Sequence, residues 1–339
     1  MIDLEVRIDD LMSAYRGAVP GACVGVLQAG VPIVRRAYGL AVVETRVAAT
    51  TATNYRLASL TKQFTAAAIL LLAERARLSI DDSVRQWLPL PPAADGVIIR
   101  HLLTHTSGVT DFEDLIPPGT TLQLRDADVL RLLQAENRGY FPPGARYRYS
   151  NSGYVLLGLI AARAADEDFA QVLRNLIFLP LGMRGSVAFE AGVAVVAERA
   201  FGYGAAPPTW VRADQSLTSA TLGDGGIYSS VDDLSQWDAA LGDDRLLRPA
   251  SLRLAFEPAT PTDDPAVAYG FGWRVSGENR WHSGETVGFR HVIVRNLADR
   301  SSVIVLTNRD APEPYRTALA IADTVRQARL AGSPRQRGA

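Results

Sequence analysis

Ser59-Leu60-Thr61-Lys62-Gln63-Phe64-Thr65-Ala66-Ala67-Ala68-Ile69-Leu70-Leu71-Leu72-Ala73-Glu74-Arg75-Ala76-Arg77 sets Phe64, Ala67, Ala68, Leu71 and Leu72 at spacings of three and four within an alanine-rich run. Alanine is the best helix former, so this spacing predicts a long, buried helix over 59–77. On its amino-terminal side, apolar runs at 22–28 and 32–39, parted by Ala29-Gly30-Val31, predict an antiparallel hairpin. Leu4, Ile8, Leu11 and Tyr15 before it mark an amphipathic helix. On the carboxy-terminal side, helical patterns joined by proline-bearing loops run through 98–104, 126–134, 152–165 and 169–178. Strand patterns return at 269–275, 279–282, 289–295 and 301–307, and a last helix passes through Leu319, Ile321 and Val325. Strands at both ends with helices between them predict an α+β fold, an α/β sandwich in which an antiparallel sheet is flanked by helices. Residues 1–58 and 216–339 form a discontinuous α/β lobe on this reading. Residues 59–215 form an inserted, mainly helical lobe, and the active site lies in the cleft between the two.

Composition narrows the partner. A chain of 339 residues with 47% hydrophobic content can bury a sizeable core, and a net charge of -1 gives no global attraction to nucleic acid or an anionic membrane. The expected partner is a small molecule or short peptide, with the oligomeric state left open. Met1-Ile2-Asp3-Leu4-Glu5 lacks the basic start and apolar stretch of a secretory signal, and the longest uncharged apolar run, 66–73, is too short to span a bilayer. A soluble, cytoplasmic protein is the expectation, or a periplasmic or secreted one if the start is trimmed. Residues 333–339 read as a frayed tail. Cys23, the lone cysteine, sits in an apolar strand and excludes an internal disulfide.

The chain holds 34 arginines and a single lysine, Lys62. Arginine replaces lysine wherever only a positive charge is needed, but its guanidinium stays protonated, so a solitary lysine three residues after Ser59 points to proton transfer. One helical turn separates the two, and the helix start favours negative charge developing near Ser59. Tyr149-Ser150-Asn151 follows the turn Pro142-Pro143-Gly144 on a loop, with Arg146 and Arg148 adjoining it as cations that can favour a phenolate. Asn151 alternatively serves as a helix N-cap. His282-Ser283-Gly284 stands at a strand edge, where small residues admit a substrate backbone. His101 and His105 lie four apart, but no acidic residue stands between them in a zinc-protease arrangement, and they read as structural.

Ser-x-x-Lys, Tyr-Ser-Asn and His-Ser-Gly in this order resemble the penicillin-recognising serine hydrolases. The branch is that of class C β-lactamases, D-alanyl-D-alanine carboxypeptidases and related serine esterases. Residues 55–62, 101–108, 149–154 and 225–230 support the resemblance, which covers about residues 20 to 310. It implies the fold already read from the pattern. It also implies Ser59 as acylated nucleophile, Lys62 as its proton-transfer partner and Tyr149 as general base. Asn151 would bind the substrate amide or position Lys62, and His282, Ser283, Gly284 and Glu285 would bind substrate, with the N–H groups of Ser59 and Glu285 as oxyanion hole. No metal or organic cofactor is implied. His282 stands where many members carry lysine, which weakens recognition of a substrate carboxylate, and Arg290 is a candidate replacement for the charge. Small esters or D-amino-acid amides and peptides are therefore the expected substrates. A β-lactamase or carboxypeptidase is the alternative, and a slow-turnover or non-catalytic sensor the alternative of another class.

Overall fold

The computed structural model describes residues 4–332 except 191, 193 and 208. The expected frayed tail, 333–339, lies outside the described residues. An eight-stranded antiparallel sheet carries the fold. Its strands are β1 (Ala22–Gln28), β2 (Val31–Tyr38), β3 (Thr260–Pro261), β4 (Ala268–Tyr269), β5 (Arg274–Ser276), β6 (Asn279–Thr286), β7 (Phe289–Asn296) and β8 (Ser301–Thr307). They lie in the order β3-β4-β5-β6-β7-β8-β1-β2, so the early hairpin closes against the last strand with Ala22 opposite Thr307. Six helices bear on the argument: α1 (Leu4–Leu11), α2 (Thr61–Glu74), α3 (Asp126–Ala135), α4 (Asn151–Ala165), α5 (Val231–Ala240) and α6 (Tyr315–Gly332). None of the described helices is long and apolar enough to cross a membrane.

Side-chain alternation sorts the sheet's two faces. On β8, Val303 and Val305 pack with Ile8 of α1 and Ile321 and Val325 of α6, whereas Ile304 and Leu306 face the larger core around α2. Both faces are covered, so all seven residues of β8 are buried and its middle, 303–306, reads as a continuous apolar run. In α2 every residue from Thr61 to Leu72 is buried. A helix apolar all round belongs at the centre of a fold, and α2 packs there against α4.

Two strand expectations need correction. The run 269–275 is not one strand but β4 and β5, split by a turn in which Gly270 N–H donates to Trp273 O and Gly272 takes φ +77°. A Cβ on Gly272 would lie 2.7 Å from Lys62 O, so the turn exists where backbone presses on α2. The strand expected over 279–282 continues to Thr286 as β6. Ser283-Gly284 looks like a turn signal, but here glycine serves a close contact: a Cβ on Gly284 would stand 2.2 Å from Leu57 O.

Candidate active site

Ser59 lies in a single 3₁₀ turn, Ala58–Leu60, that leads into α2. Ala58 before it is held at φ +49°, a left-handed conformation costing a non-glycine residue about 1–2 kcal/mol, and such strain gathers at functional sites. His291 on β7 fixes the approach to this turn. Its Nε2–H donates to Arg56 O at 2.7 Å while Nδ1 accepts from Thr307 N at 3.1 Å. Burial pushes the His291 imidazole down to about 3. On the other side β6 runs against the turn, and its pairing with β5 ends at Trp281. The β5-facing edge of residues 282–286 is thus left beside Ser59, which is itself only half buried.

Lys62 is fully buried, and its Nζ faces three acceptors: Ser59 Oγ at 3.1 Å, Asn151 Oδ1 at 2.8 Å and Asp224 O at 2.9 Å. An ammonium has three donors to meet them, a neutral amine only two. Nζ also stands 4.9 Å from the centroid of the Tyr149 ring. The structure therefore brings Ser59, Lys62, Tyr149 and Asn151 together from α2 and the loop entering α4.

That loop is pinned from two directions. Ser150 N–H donates to His105 Nδ1 at 3.1 Å, and Arg148 N–H to His105 O at 2.9 Å. The His105 ring lies on Tyr149 with centroids 4.3 Å apart. Asn151 N–H donates to Asp111 Oδ2, and its Nδ2 donates to Glu113 Oε1 at 2.9 Å. One carboxamide thus spends its oxygen on Lys62 and one N–H on Glu113, leaving a second N–H to offer a substrate. Ser150, not Asn151, caps α4, accepting from Gly153 N–H. His101 and His105 each accept a backbone N–H at Nδ1, from Ile98 at 3.4 Å and from Ser150 at 3.1 Å. Burial drives His105 well below the ordinary imidazole range, with the Lys62 charge adding to it.

Arg146 and Arg148 do not serve Tyr149. They lie over the rings of Phe141 and Tyr140, at 4.7 and 3.9 Å, and the cations near the Tyr149 ring are Lys62 and Arg274, the latter at 5.8 Å. His282 is 1% exposed and locked on both nitrogens. Nδ1–H donates to Ser283 O at 2.6 Å, because a carbonyl can only accept, and Nε2 then accepts from Tyr269 Oη at 3.0 Å. Burial, reinforced by Arg274, holds it well below the ordinary range, so His282 is neutral and turned away from solvent. Arg290 does not replace the missing charge, since its guanidinium pairs with Glu285 at 3.6 Å and donates to Thr286 O and Phe289 O. Asp111, Glu113, Asp224, Tyr269 and Arg274 were not visible as site residues in the sequence. Only Asp224 had a nearby signal, the Gly225-Gly226 pair that follows it.

A family model described as Beta-lactamase matches residues 7–327. The chain is 33% identical over 284 residues to penicillin-binding protein 4* of Bacillus subtilis (strain 168), covering 78% of this chain and 63% of that protein. It is 28% identical over 313 residues to a D-aminopeptidase of Gluconobacter oxydans (strain 621H), covering 90% and 58%. It thus spans less than two thirds of the length of either relative. Among solved structures, the octameric penicillin-binding protein homologue from Pyrococcus abyssi superposes with a TM-score of 0.83 at 26% identity, over 97% of this chain and 77% of that one.

Proposed function

The chain belongs to the Beta-lactamase family, and from that premise we propose a serine hydrolase, acylated at Ser59 and deacylated by water, that acts on small esters or D-amino-acid amides and short peptides. The observation that carries this reading is Lys62 Nζ, buried and held 3.1 Å from Ser59 Oγ by acceptors from two other segments. In the proposed reaction Ser59 Oγ bonds to the substrate carbonyl carbon as its proton passes to the Tyr149 oxygen. The Lys62 charge offsets the negative charge of the Tyr149 phenolate, which becomes a phenol as it takes this proton, and of the developing alkoxide. The N–H groups of Ser59 and Glu285 receive the oxyanion on this proposal, which the packing of β6 against the Ser59 turn supports. Tyr149 then protonates the departing nitrogen or oxygen as the bond to the acyl carbon breaks, and water repeats the steps to release the acid. The cleft between an α/β lobe (1–58 and 216–339) and a helical lobe (59–215) belongs to the same proposal.

A neutral, enclosed His282 leaves no cation at the position that holds lysine in many β-lactam-recognising enzymes, which ranks esters and amides above lactams. The test is mass mapping after treatment with a fluorophosphonate, with short-chain nitrophenyl esters and a chromogenic cephalosporin as competing substrates. Labelling of the Ser59 peptide and ester turnover above lactam turnover are expected. Modification elsewhere overturns the nucleophile, and lactam turnover far above ester turnover reverses the ranking.

A further inference from the structure

Tyr269 touches two of the three motif segments and sits on a hairpin that rests on the third. It closes β4, and the turn after it carries Gly272, whose missing Cβ lets the β4–β5 hairpin lie against Lys62 O. Its ring is fully buried, with centroids 4.6 Å from His105, 6.3 Å from Tyr149 and 5.8 Å from His282. Packing alone asks only for phenylalanine. The hydroxyl adds a bond, 3.0 Å from His282 Nε2, while His282 Nδ1–H donates to Ser283 O at 2.6 Å. With its proton on Nδ1, the ring has a lone pair at Nε2 that only a donor can meet, and Tyr269 O–H is that donor. An imidazole held at one nitrogen can swing about its broad χ2 torsion. Held at both, it clamps the Ser283 carbonyl.

That carbonyl lies on the edge of β6 that faces the Ser59 turn. Val287-Gly288 closes a two-residue hairpin, so the flanking pair Thr286 and Phe289 turn their backbone groups toward each other. Counting back in twos, Gly284 and His282 also turn to β7, and Glu285 and Ser283 turn to the other edge, where β5 pairs no further than Trp281. Between Ser283 O and Glu285 N–H stands only Gly284. A Cβ at 284 would lie 2.2 Å from Leu57 O, so glycine is required there, yet glycine restrains φ and ψ least of all residues. On the hydrolase reading the Glu285 N–H receives the oxyanion, and such a donor acts through its aim.

We propose that Tyr269 is a positioning residue for the oxyanion donor: through the His282 ring it holds the Ser283 carbonyl and so aims the Glu285 N–H past the flexible glycine. His282, expected from the sequence to bind substrate, acts here through the strand. The assignment rests on the hydrolase reading above and adds to it a residue outside its motifs.

Tyr269→Phe keeps the ring and deletes the donor, and it is tested in the full chain. Proton–nitrogen spectra of the imidazoles read the clamp directly, since the chain has four histidines and His282→Ala identifies the signal of His282. The parent should carry a His282 Nδ1 proton that exchanges slowly with water, and in Tyr269→Phe that proton should exchange at least about tenfold faster as the ring loosens. Stopped-flow acylation by a nitrophenyl ester should show a saturating rate about tenfold lower, short of the loss from deleting an oxyanion donor outright. The half-saturating ester concentration should stay within about twofold, as for an interaction made only in the transition state. In a His282→Ala background the same change should cost less than about twofold, because the path runs through the ring, whereas a packing role costs the same in both. An equal loss in both backgrounds, an unaltered ring proton or an unaltered acylation rate overturns the proposal and leaves the hydrolase reading standing. A parent that no ester acylates at Ser59 removes both.

Discussion

At the scale of the residue, the chemistry concentrates on one nitrogen. Lys62 Nζ is enclosed by a hydroxyl, a carboxamide oxygen and a backbone carbonyl from three segments, all within 3.1 Å. A compact ammonium aims three donors at such a cage, whereas a guanidinium is planar and longer and directs its N–H groups in a fixed fork. Arginine is otherwise the basic residue of this chain, and the cage explains why position 62 did not follow. Lys62→Arg should therefore lower acylation of Ser59 by at least about 100-fold, the scale of one misplaced electrostatic donor at the reacting charge. Stopped-flow acylation with a nitrophenyl ester measures it, and a melting curve separates lost chemistry from lost fold. A rate close to the parent's in a folded variant would exclude the assigned role. The lysine was legible because its rarity is a property of the string. Of its partners Ser59 and Asn151 were legible too, but Asp224 was not: it lies 162 positions from Lys62 and offers a backbone carbonyl, which no local pattern marks.

At the scale of the element, contact between β6 and the Ser59 turn decides whether the nucleophile is presented to a strand edge. Gly284 permits it. Because a Cβ there would approach Leu57 O to 2.2 Å and Leu60 Cγ to 3.2 Å, Gly284→Ala must push β6 away from the turn or shift the turn itself. The expected cost is about 1–3 kcal/mol of stability, as for other overpacked sites, with a larger proportional loss in ester turnover. Urea denaturation and kcat together check this, and unchanged values for both would show that the contact is not needed. The same contact explains a boundary the sequence hid. Regular elements such as β1 and β8 were readable because burial on both faces writes an uninterrupted apolar run. β6 was truncated at His282 because Ser-Gly carries the composition of a turn, and only the opposing backbone of Leu57 reveals why glycine is there. The split of β4 from β5 was hidden likewise, since the demand on Gly272 comes from Lys62 O, 210 positions earlier by subtraction of residue numbers.

At the scale of the whole molecule, the fold was legible from the order of its patterns, with strand signals at both ends and helices between, because sheet and helix periods survive in sequence. The charge economy of the interior was not, since it depends on which titratable groups are enclosed together. His105, His282 and His291 are buried and neutral, each with its folded value below the ordinary 6.5. The unfolded chain takes up protons on these rings as pH falls through about 6.5, while the folded chain does not until much lower, near 3 for His291. Each ring therefore contributes stability that is present above about pH 6.5 and lost as pH falls below it, by roughly 1.4 kcal/mol per pH unit. Asp126 works in the opposite sense. Desolvation pushes its carboxyl up to about 8, so the folded chain keeps a proton the unfolded chain gives up, and stability falls as pH rises from about 4 towards 8. The net slope of the parent is a difference of such effects, but one ring can be isolated by substitution. In His291→Gln, urea midpoints measured between pH 6 and pH 4 should fall less steeply than the parent's, by roughly 1.4 kcal/mol per pH unit once converted to free energy. The absolute stability lost with the bonds to Arg56 O and Thr307 N does not enter this comparison of slopes. Identical slopes in the two proteins would mean that His291 is protonated in the folded state across this range, and that its hold on the approach to Ser59 is not that of a neutral imidazole.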